Sequence, residues 1–486
     1  EFSSRIGFVL AAAGSAVGLG NIWGFPTKVA SNGGAAFVLV YLLLAFVLAY
    51  PVLMAELIIG RSTRSNMVDA LGKISGNFAG RLTGIWGCVT VSLILAFYAI
   101  VGGWMLVYFA DAAVSMVGLT SMSDWLLTSS VTRNVIFCFL FMGLTAFIVV
   151  GGVKSGIEKW SVRLMPTLVI LILALIVYVS MQPGAVEGWS AYLVPDFSRV
   201  LDPDLLINAM GQAFFSMSLG VGTMLVYGSY LSKNENLPSI GASVALVDIG
   251  VAVIAGMLII PSMYVALNNG VEIFTPEGAL IQGDTLIFKV LPALFDTIGT
   301  VGLFVAFTFF ALMAIAAVTS SISMLEVPVA YMVESKGLQR KKAVVLMSSI
   351  IFALSCIIIL NFETLGRLID YNALDTNNYS ALEMLRDLRK GIWSEINSGQ
   401  NVSVYRRNLQ RAYVDQMKYL MTEDMNRARS RKYYNVNQSD VRALVRGELN
   451  ILKNRLKSAA NAAVNTETKY HYRDALARID KILNPK

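Results

Sequence analysis

Gly14-Ser15-Ala16-Val17-Gly18-Leu19-Gly20-Asn21 and Ser216-Met217-Ser218-Leu219-Gly220-Val221-Gly222 each interrupt an apolar run long enough to cross a bilayer. Glycine costs about 1 kcal/mol relative to alanine in a helix interior, so glycines clustered at membrane depth predict unwound backbone. Such backbone is tolerated there only where it is buried in protein or lines a cavity. Interruptions in corresponding places of two halves are the sequence mark of a transporter's binding site.

The surrounding chain fits that setting. Of its 486 residues 56% are hydrophobic and 15% charged, whereas soluble domains average about 25% charged residues. Runs of about twenty apolar residues span the hydrocarbon core. They fall near 6–28, 34–59, 83–112, 132–150, 162–181, 205–230, 241–267, 297–332 and 343–361, which predicts nine crossings. Arg5, Arg61, Arg64, Lys73, Arg81, Lys154, Lys159, Arg163, Lys233, Lys336, Arg340, Lys341 and Lys342 fall on one side, against Lys28, Arg133, Arg199 and Lys289 on the other. That asymmetry predicts a cytoplasmic N-terminus. The longest outer loop, Phe274-Thr275-Pro276-Glu277-Gly278 to Pro292, is apolar enough for short helices capping an outer vestibule, or is an ordinary surface loop.

After Gly366 the pattern becomes that of soluble amphipathic helices, with Leu382, Leu385, Leu388, Ile392 and Ile396 recurring at spacings of three and four. Residues 373–486 hold 21 Lys+Arg and 12 Asp+Glu, a charge of +9, while the rest of the chain carries −2. These charges are scattered among apolar residues, so a nucleic-acid partner is not expected. Nine crossings place this basic region on the outer face, which long domains tolerate. The expected division is thus 1–365, transmembrane, and 366–486, soluble and helical.

Several classes of chemistry are excluded. His471 is the single histidine and stands far from any acidic cluster, which removes a zinc hydrolase or a histidine-based triad. Cys88, Cys138 and Cys356 lie in apolar stretches without metal-ligand spacing. The first apolar run carries Gly20-Asn21-Ile22-Trp23-Gly24-Phe25-Pro26 in place of a small-residue cleavage site, so no cleavable signal is expected.

A cation crossing lipid exchanges its water shell for oxygen ligands. Carbonyls freed by unwinding supply these without burying a charge, and Asn21, Ser216, Ser218 and Thr319-Ser320-Ser321 add side-chain oxygens. The half-helix after Gly20 opens with free N–H groups that suit a carboxylate, and Tyr98 can donate to the same group. Carbonyls at the end of the other half-helix suit an ammonium. Both poles together describe a zwitterionic amino acid. Glu56, Asp248 and Glu326 lie within predicted spans; a carboxylate at that depth costs at least ~2.5 kcal/mol and therefore needs a partner inside the bundle.

Residues 3–366 resemble the bacterial branch of the neurotransmitter:sodium symporter family. The resemblance is carried by Ser4-Arg5-Ile6-Gly7-Phe8, Ala12-Ala13-Gly14 through Ile22-Trp23, Phe25-Pro26, Asn32-Gly33-Gly34-Ala35-Ala36-Phe37, Pro51, Glu56, Gly60-Arg61, Gly211-Gln212-Ala213-Phe214-Phe215-Ser216 and Thr319-Ser320-Ser321. It implies an all-α polytopic membrane helix bundle of the inverted-repeat, LeuT-like type, here truncated after about nine spans and followed by a soluble helical domain. It also implies a bacterial inner membrane location, two sodium ions and no organic cofactor. One sodium would be held by Ala16, Asn21, Ser216, the substrate carboxylate and a place on the seventh span that Asp248 fills or lies one turn from, the second by Gly14, Val17, Ala316, Thr319 and Ser320. The substrate carboxylate would meet Leu19, Gly20 and Tyr98, and its ammonium Ala16, Phe215, Ser216 and Ser218. Its side chain would rest on Ile94, Phe215, Val221, Ser320 and Met324.

Departures from the family pattern carry further expectations. Asp248 stands where relatives often have asparagine, and its carboxylate would substitute for the chloride that animal relatives require. Gly24 replaces an arginine of the outer gate, Thr27 a common tyrosine, and Val221 an aromatic ring found in some relatives. The basic N-terminal residue of the inner gate, whose partner here would be Glu334, is not present, and the second repeat stops after four spans. The tail resembles the helical C-terminal region of bacterial zinc metalloproteases through Leu368-Ile369-Asp370-Tyr371, Leu385 to Trp393, Tyr405-Arg406-Arg407 and Arg478-Ile479-Asp480-Lys481, but without an HExxH protease site. This suggests a fusion. Two readings stay open: sodium-coupled symport of a neutral, apolar amino acid, or a transport-inactive module that anchors a helical interaction domain whose partner the sequence does not name.

Overall fold

Both glycine clusters end a helix where their sequence predicts. The structure, a computed structural model, describes residues 1–361 except 33, 129, 196, 198–199, 233, 272 and 274–285; beyond 361 it describes only Lys453, Lys457 and Leu476. The first helix, Arg5–Ala16, is capped by the Ser4 hydroxyl, which accepts from the Gly7 N–H. It stops at Val17, whose backbone is extended. A π-turn, Gly20–Gly24, then leads into Phe25–Ser31. Arg5–Ala16 and Gly20–Val29 meet at 56°.

At the second cluster Pro203–Ser216 ends and Thr223–Ser229 begins. Between them Gly220 and Gly222 both take φ +83°, and Ser218 takes φ +54°. Glycine adopts such angles without penalty. Ser218 does not, and its hydroxyl is anchored to the Ser15 carbonyl at 3.0 Å.

Seven described helices are long and apolar enough to cross a membrane: Ala35–Thr63, Phe78–Met116, Val131–Val150, Val153–Ser180, Leu237–Asn268, Thr300–Glu334 and Arg340–Leu360. The bent first pair makes an eighth. The sixth expected run, 205–230, is divided at its glycine cluster into pieces of 14 and 7 residues. Six residues of unwound chain leave neither piece long enough alone. Phe78–Met116 overruns its expected ends; its 39 residues measure about 58 Å at 1.5 Å each, so it projects well beyond a ~30 Å core.

Close backbone approach holds the broken pieces in place. A Cβ at Gly60 would overlap the Leu225 carbonyl, and one at Gly228 would lie 2.8 Å from the Leu57 carbonyl. Small residues permit such contacts between membrane helices. Gly60→Ala is therefore expected to cost about 1–3 kcal/mol through overpacking, read as a lower thermal unfolding midpoint in detergent. Gly143→Ala, where an added Cβ has nothing within 4 Å, leaves the midpoint in place.

The fully buried Glu326 carboxylate binds Arg340 at 2.5 Å and accepts from the Tyr230 hydroxyl at 2.7 Å. Arg340 Nε also donates to the Val149 carbonyl at 3.0 Å. Tyr230 follows directly on Thr223–Ser229, so this cluster ties that broken piece to three long helices. The described part of the long loop is helical, as Leu286–Val290 and Leu291–Thr297. Phe288 packs there against Trp23, Trp104 and Tyr108 at ring distances of 6.3, 5.6 and 5.1 Å. Phe274 to Gly278 lie outside the described residues, as do the amphipathic helices expected from 366 to 486.

Candidate functional site

The two unwound segments face each other. Besides Ser218 to Ser15, Asn21 Nδ2 donates to Ser216 Oγ at 2.9 Å and Gln212 Nε2 donates to the Gly20 carbonyl at 3.2 Å. Glu56, from Ala35–Thr63, accepts from the Gly220 N–H at 2.7 Å and so supplies an acceptor that the missing helical turn would have provided. Each of the three carboxylates predicted within spans thus has a partner: Glu56 the unwound backbone, Glu326 Arg340, and Asp248 the residues described next.

Asn21 Nδ2 also donates to Asp248 Oδ1 at 2.8 Å and to the Asp248 carbonyl at 3.3 Å, while Ser216 Oγ donates to Asp248 Oδ2 at 2.7 Å. All three residues are buried. Three oxygens thereby surround one amide nitrogen. Asn21 Oδ1 faces the other way and accepts from the Gly18 N–H at 3.2 Å. Among the described residues Asp248 has no Lys or Arg partner. A buried carboxylate without a counter-charge is costly, so this donor set fits a hard monovalent cation.

A second polar cluster joins the first helix to Thr300–Glu334. Ser320 Oγ donates to the carbonyls of Gly14 and Val17 at 3.4 and 3.2 Å. Thr319 Oγ1 donates to the Ala316 carbonyl at 3.1 Å, and a Cβ on Gly14 would sit 3.3 Å from the Thr319 Cβ. All five residues expected at the second ion position therefore fall together.

The expected substrate residues gather less completely. Tyr98 Oη accepts from the Leu19 N–H at 3.4 Å, leaving its own proton to donate. A Cβ at Gly18 would approach Ser320 Oγ at 2.6 Å and Tyr98 Oη at 3.1 Å, so glycine allows three helices to converge at that point. Phe215 lies against Gly20, where an added Cβ would stand 2.5 Å from its ring. Ala16 is buried, Val221 half-buried and Met324 buried, whereas Phe215 and Ile94 are 66% and 38% exposed.

Sequence reading missed two residues of this region. Gln212 is one helical turn before Ser216, a spacing that places both on one face. Lys28, counted only as an outer charge, donates from Nζ to Gln212 Oε1 at 3.1 Å. A third contact, Ser15 Oγ to Ser323 Oγ at 2.6 Å, has no sequence signal beyond residue type.

An all-α bundle broken twice, with the breaks opposed around buried oxygens, has the architecture of an ion-coupled secondary transporter. The Sodium:neurotransmitter symporter family matches this chain over residues 1–126 and 122–382. The chain belongs to that family; it is a sodium-dependent, multi-pass membrane transporter and not an enzyme. A Bacillus subtilis (strain 168) protein described as the uncharacterized sodium-dependent transporter YhdH is 40% identical over 352 residues, 70% of this chain and 74% of its own. A Canis lupus familiaris sodium- and chloride-dependent taurine transporter is 30% identical over 321 residues, 56% of this chain and 51% of its own. The solved structure of MhsT in complex with L-phenylalanine matches with a TM-score of 0.65 and 30% identity, covering 99% of this chain and 98% of that one. The family match passes the expected boundary at 366. These matches lend no support to a metalloprotease-like origin for the tail, nor to a fusion.

Proposed function

We propose that this chain symports a neutral amino acid with an apolar side chain, together with two sodium ions, by alternating access. The observation that carries the reading is the Asp248 carboxylate, fully buried and bonded to Asn21 and Ser216 across both breaks. A cation there neutralises the carboxylate and holds the two broken segments together, which couples ion occupancy to their relative position. Asn21, Ser216, Asp248 and the Ala16 carbonyl would hold the first sodium. Gly14, Val17, Ala316, Thr319 and Ser320 would hold the second.

The substrate carboxylate would be bound by Leu19, Gly20 and Tyr98, and its ammonium by Ala16, Phe215, Ser216 and Ser218. Ile94, Phe215, Val221, Ser320 and Met324 would face its side chain; the phenylalanine bound by MhsT supports an apolar one. The two broken segments would move with Ala35–Thr63 and Leu237–Asn268 against the remaining helices. Because Asp248 already supplies a negative charge beside the first ion, transport would not need chloride, unlike the related taurine transporter.

The test is uptake of labelled L-phenylalanine by the purified chain in liposomes. An inward sodium gradient is expected to raise uptake at least tenfold over a potassium control, and replacing chloride by gluconate is expected to change nothing. Absence of sodium-driven uptake would favour the anchoring reading instead.

A further inference from the structure

Among the described residues Lys28 has no ion-pair partner. It sits on Phe25–Ser31, eight residues beyond Gly20 and therefore about 12 Å outward along the helix, on the orientation that places the N-terminus in the cytoplasm. Its side chain is half-buried. Its bond goes to the neutral Gln212 amide oxygen at 3.1 Å.

The local geometry points this ammonium over the path into the site. Helical side chains lean toward the helix N-terminus, so the Lys28 stem leans toward the break. Gln212 Oε1, the acceptor of the Lys28 ammonium, lies beside Gly24, 3.7 Å from where a Cβ there would stand. Gln212 is buried and its other amide atom is fixed on the Gly20 carbonyl at 3.2 Å. The chain Lys28–Gln212–Gly20 therefore spans the gap between the outer pieces of both broken segments. Phe215, three residues on, is the exposed ring just beneath.

We propose that Lys28 is a specificity-determining residue, a charge filter that disfavours solutes with net positive charge and leaves neutral zwitterions unaffected. Gln212 is its positioning residue, holding the ammonium over the neck through Gly20. This rests on the reading of the site as one for amino acids. Two like charges about 12 Å apart at an effective dielectric of about 20 repel by about 1.4 kcal/mol, which corresponds to a tenfold change in affinity.

The experiment compares L-lysine with L-norleucine, probes of similar length differing by one charge, as inhibitors of labelled L-phenylalanine uptake by the full chain in liposomes. The ratio of their inhibition constants is expected to fall about tenfold in Lys28→Met and about a hundredfold in Lys28→Glu, while Lys28→Arg keeps the wild-type ratio. A stepwise response to charge is not something a purely structural lysine would produce. A ratio constant within twofold across Lys28→Met and Lys28→Glu overturns the filter, as does an equal shift in both inhibition constants. Should Lys28→Glu fail to fold, Lys28→Met against Lys28→Arg decides. If the wild-type chain neither takes up nor binds L-phenylalanine, the amino-acid reading fails and the filter with it; wild-type uptake with an unmoved ratio sinks the filter alone.

Discussion

Asp248→Asn is expected to raise the sodium concentration for half-maximal uptake by about ten- to a hundredfold in gluconate, and to make uptake respond to chloride. The side chain keeps its size, so the effect is one of charge and hydrogen-bond polarity. In the wild-type chain both carboxylate oxygens accept, one from Asn21 Nδ2 at 2.8 Å and one from Ser216 Oγ at 2.7 Å. An asparagine presents one acceptor and one donor, and the donor must face one of these neighbours. Hydrogen bonds to charged groups contribute about 1.5–3 kcal/mol, which sets the size of the shift. Added chloride would restore the missing negative charge and recover part of the sodium affinity. A sodium curve for Asp248→Asn that overlays the wild type, with or without chloride, would remove Asp248 from the ion site.

The second large effect concerns stability. Glu326→Ala leaves the Arg340 guanidinium in a mostly buried place without its 2.5 Å partner and the Tyr230 hydroxyl without its acceptor. Removing one member of a buried ion pair costs about 3–5 kcal/mol, whereas replacing both members by apolar residues is often neutral. Thermal unfolding in detergent should therefore show a large drop for Glu326→Ala and substantial recovery for Glu326→Leu combined with Arg340→Met. If the double variant is no more stable than Glu326→Ala, the charge pair is not the source of the loss. Glu326→Gln, which still accepts from Tyr230, should fall between the wild type and alanine.

The breaks were legible because glycine is conspicuous inside apolar runs, and they fall at Val17 and after Ser216 as the clusters predict. Glu56, Asp248 and Glu326 were legible for a related reason: a carboxylate in a lipid-compatible run needs a partner, and each has one. Their partners were not legible. Gly220, Asn21 and Arg340 are separated from them by 164, 227 and 14 residues, and periodicity says nothing about which helix faces which. The acceptor of Lys28 was not legible either, since it lies 184 residues away.

The sequence by itself determined that this is an all-α membrane protein and where its helices must break, because hydrophobic length and glycine's helix penalty are local properties of the chain. Only the tertiary structure decided that the two breaks lie opposite one another and that Asn21, Ser216 and Asp248 share one buried point. Tertiary packing also laid the Lys28 ammonium across to Gln212. Those juxtapositions depend on helix packing, in which glycines such as Gly60 and Gly228 let backbones meet, and packing is a property of the assembled bundle.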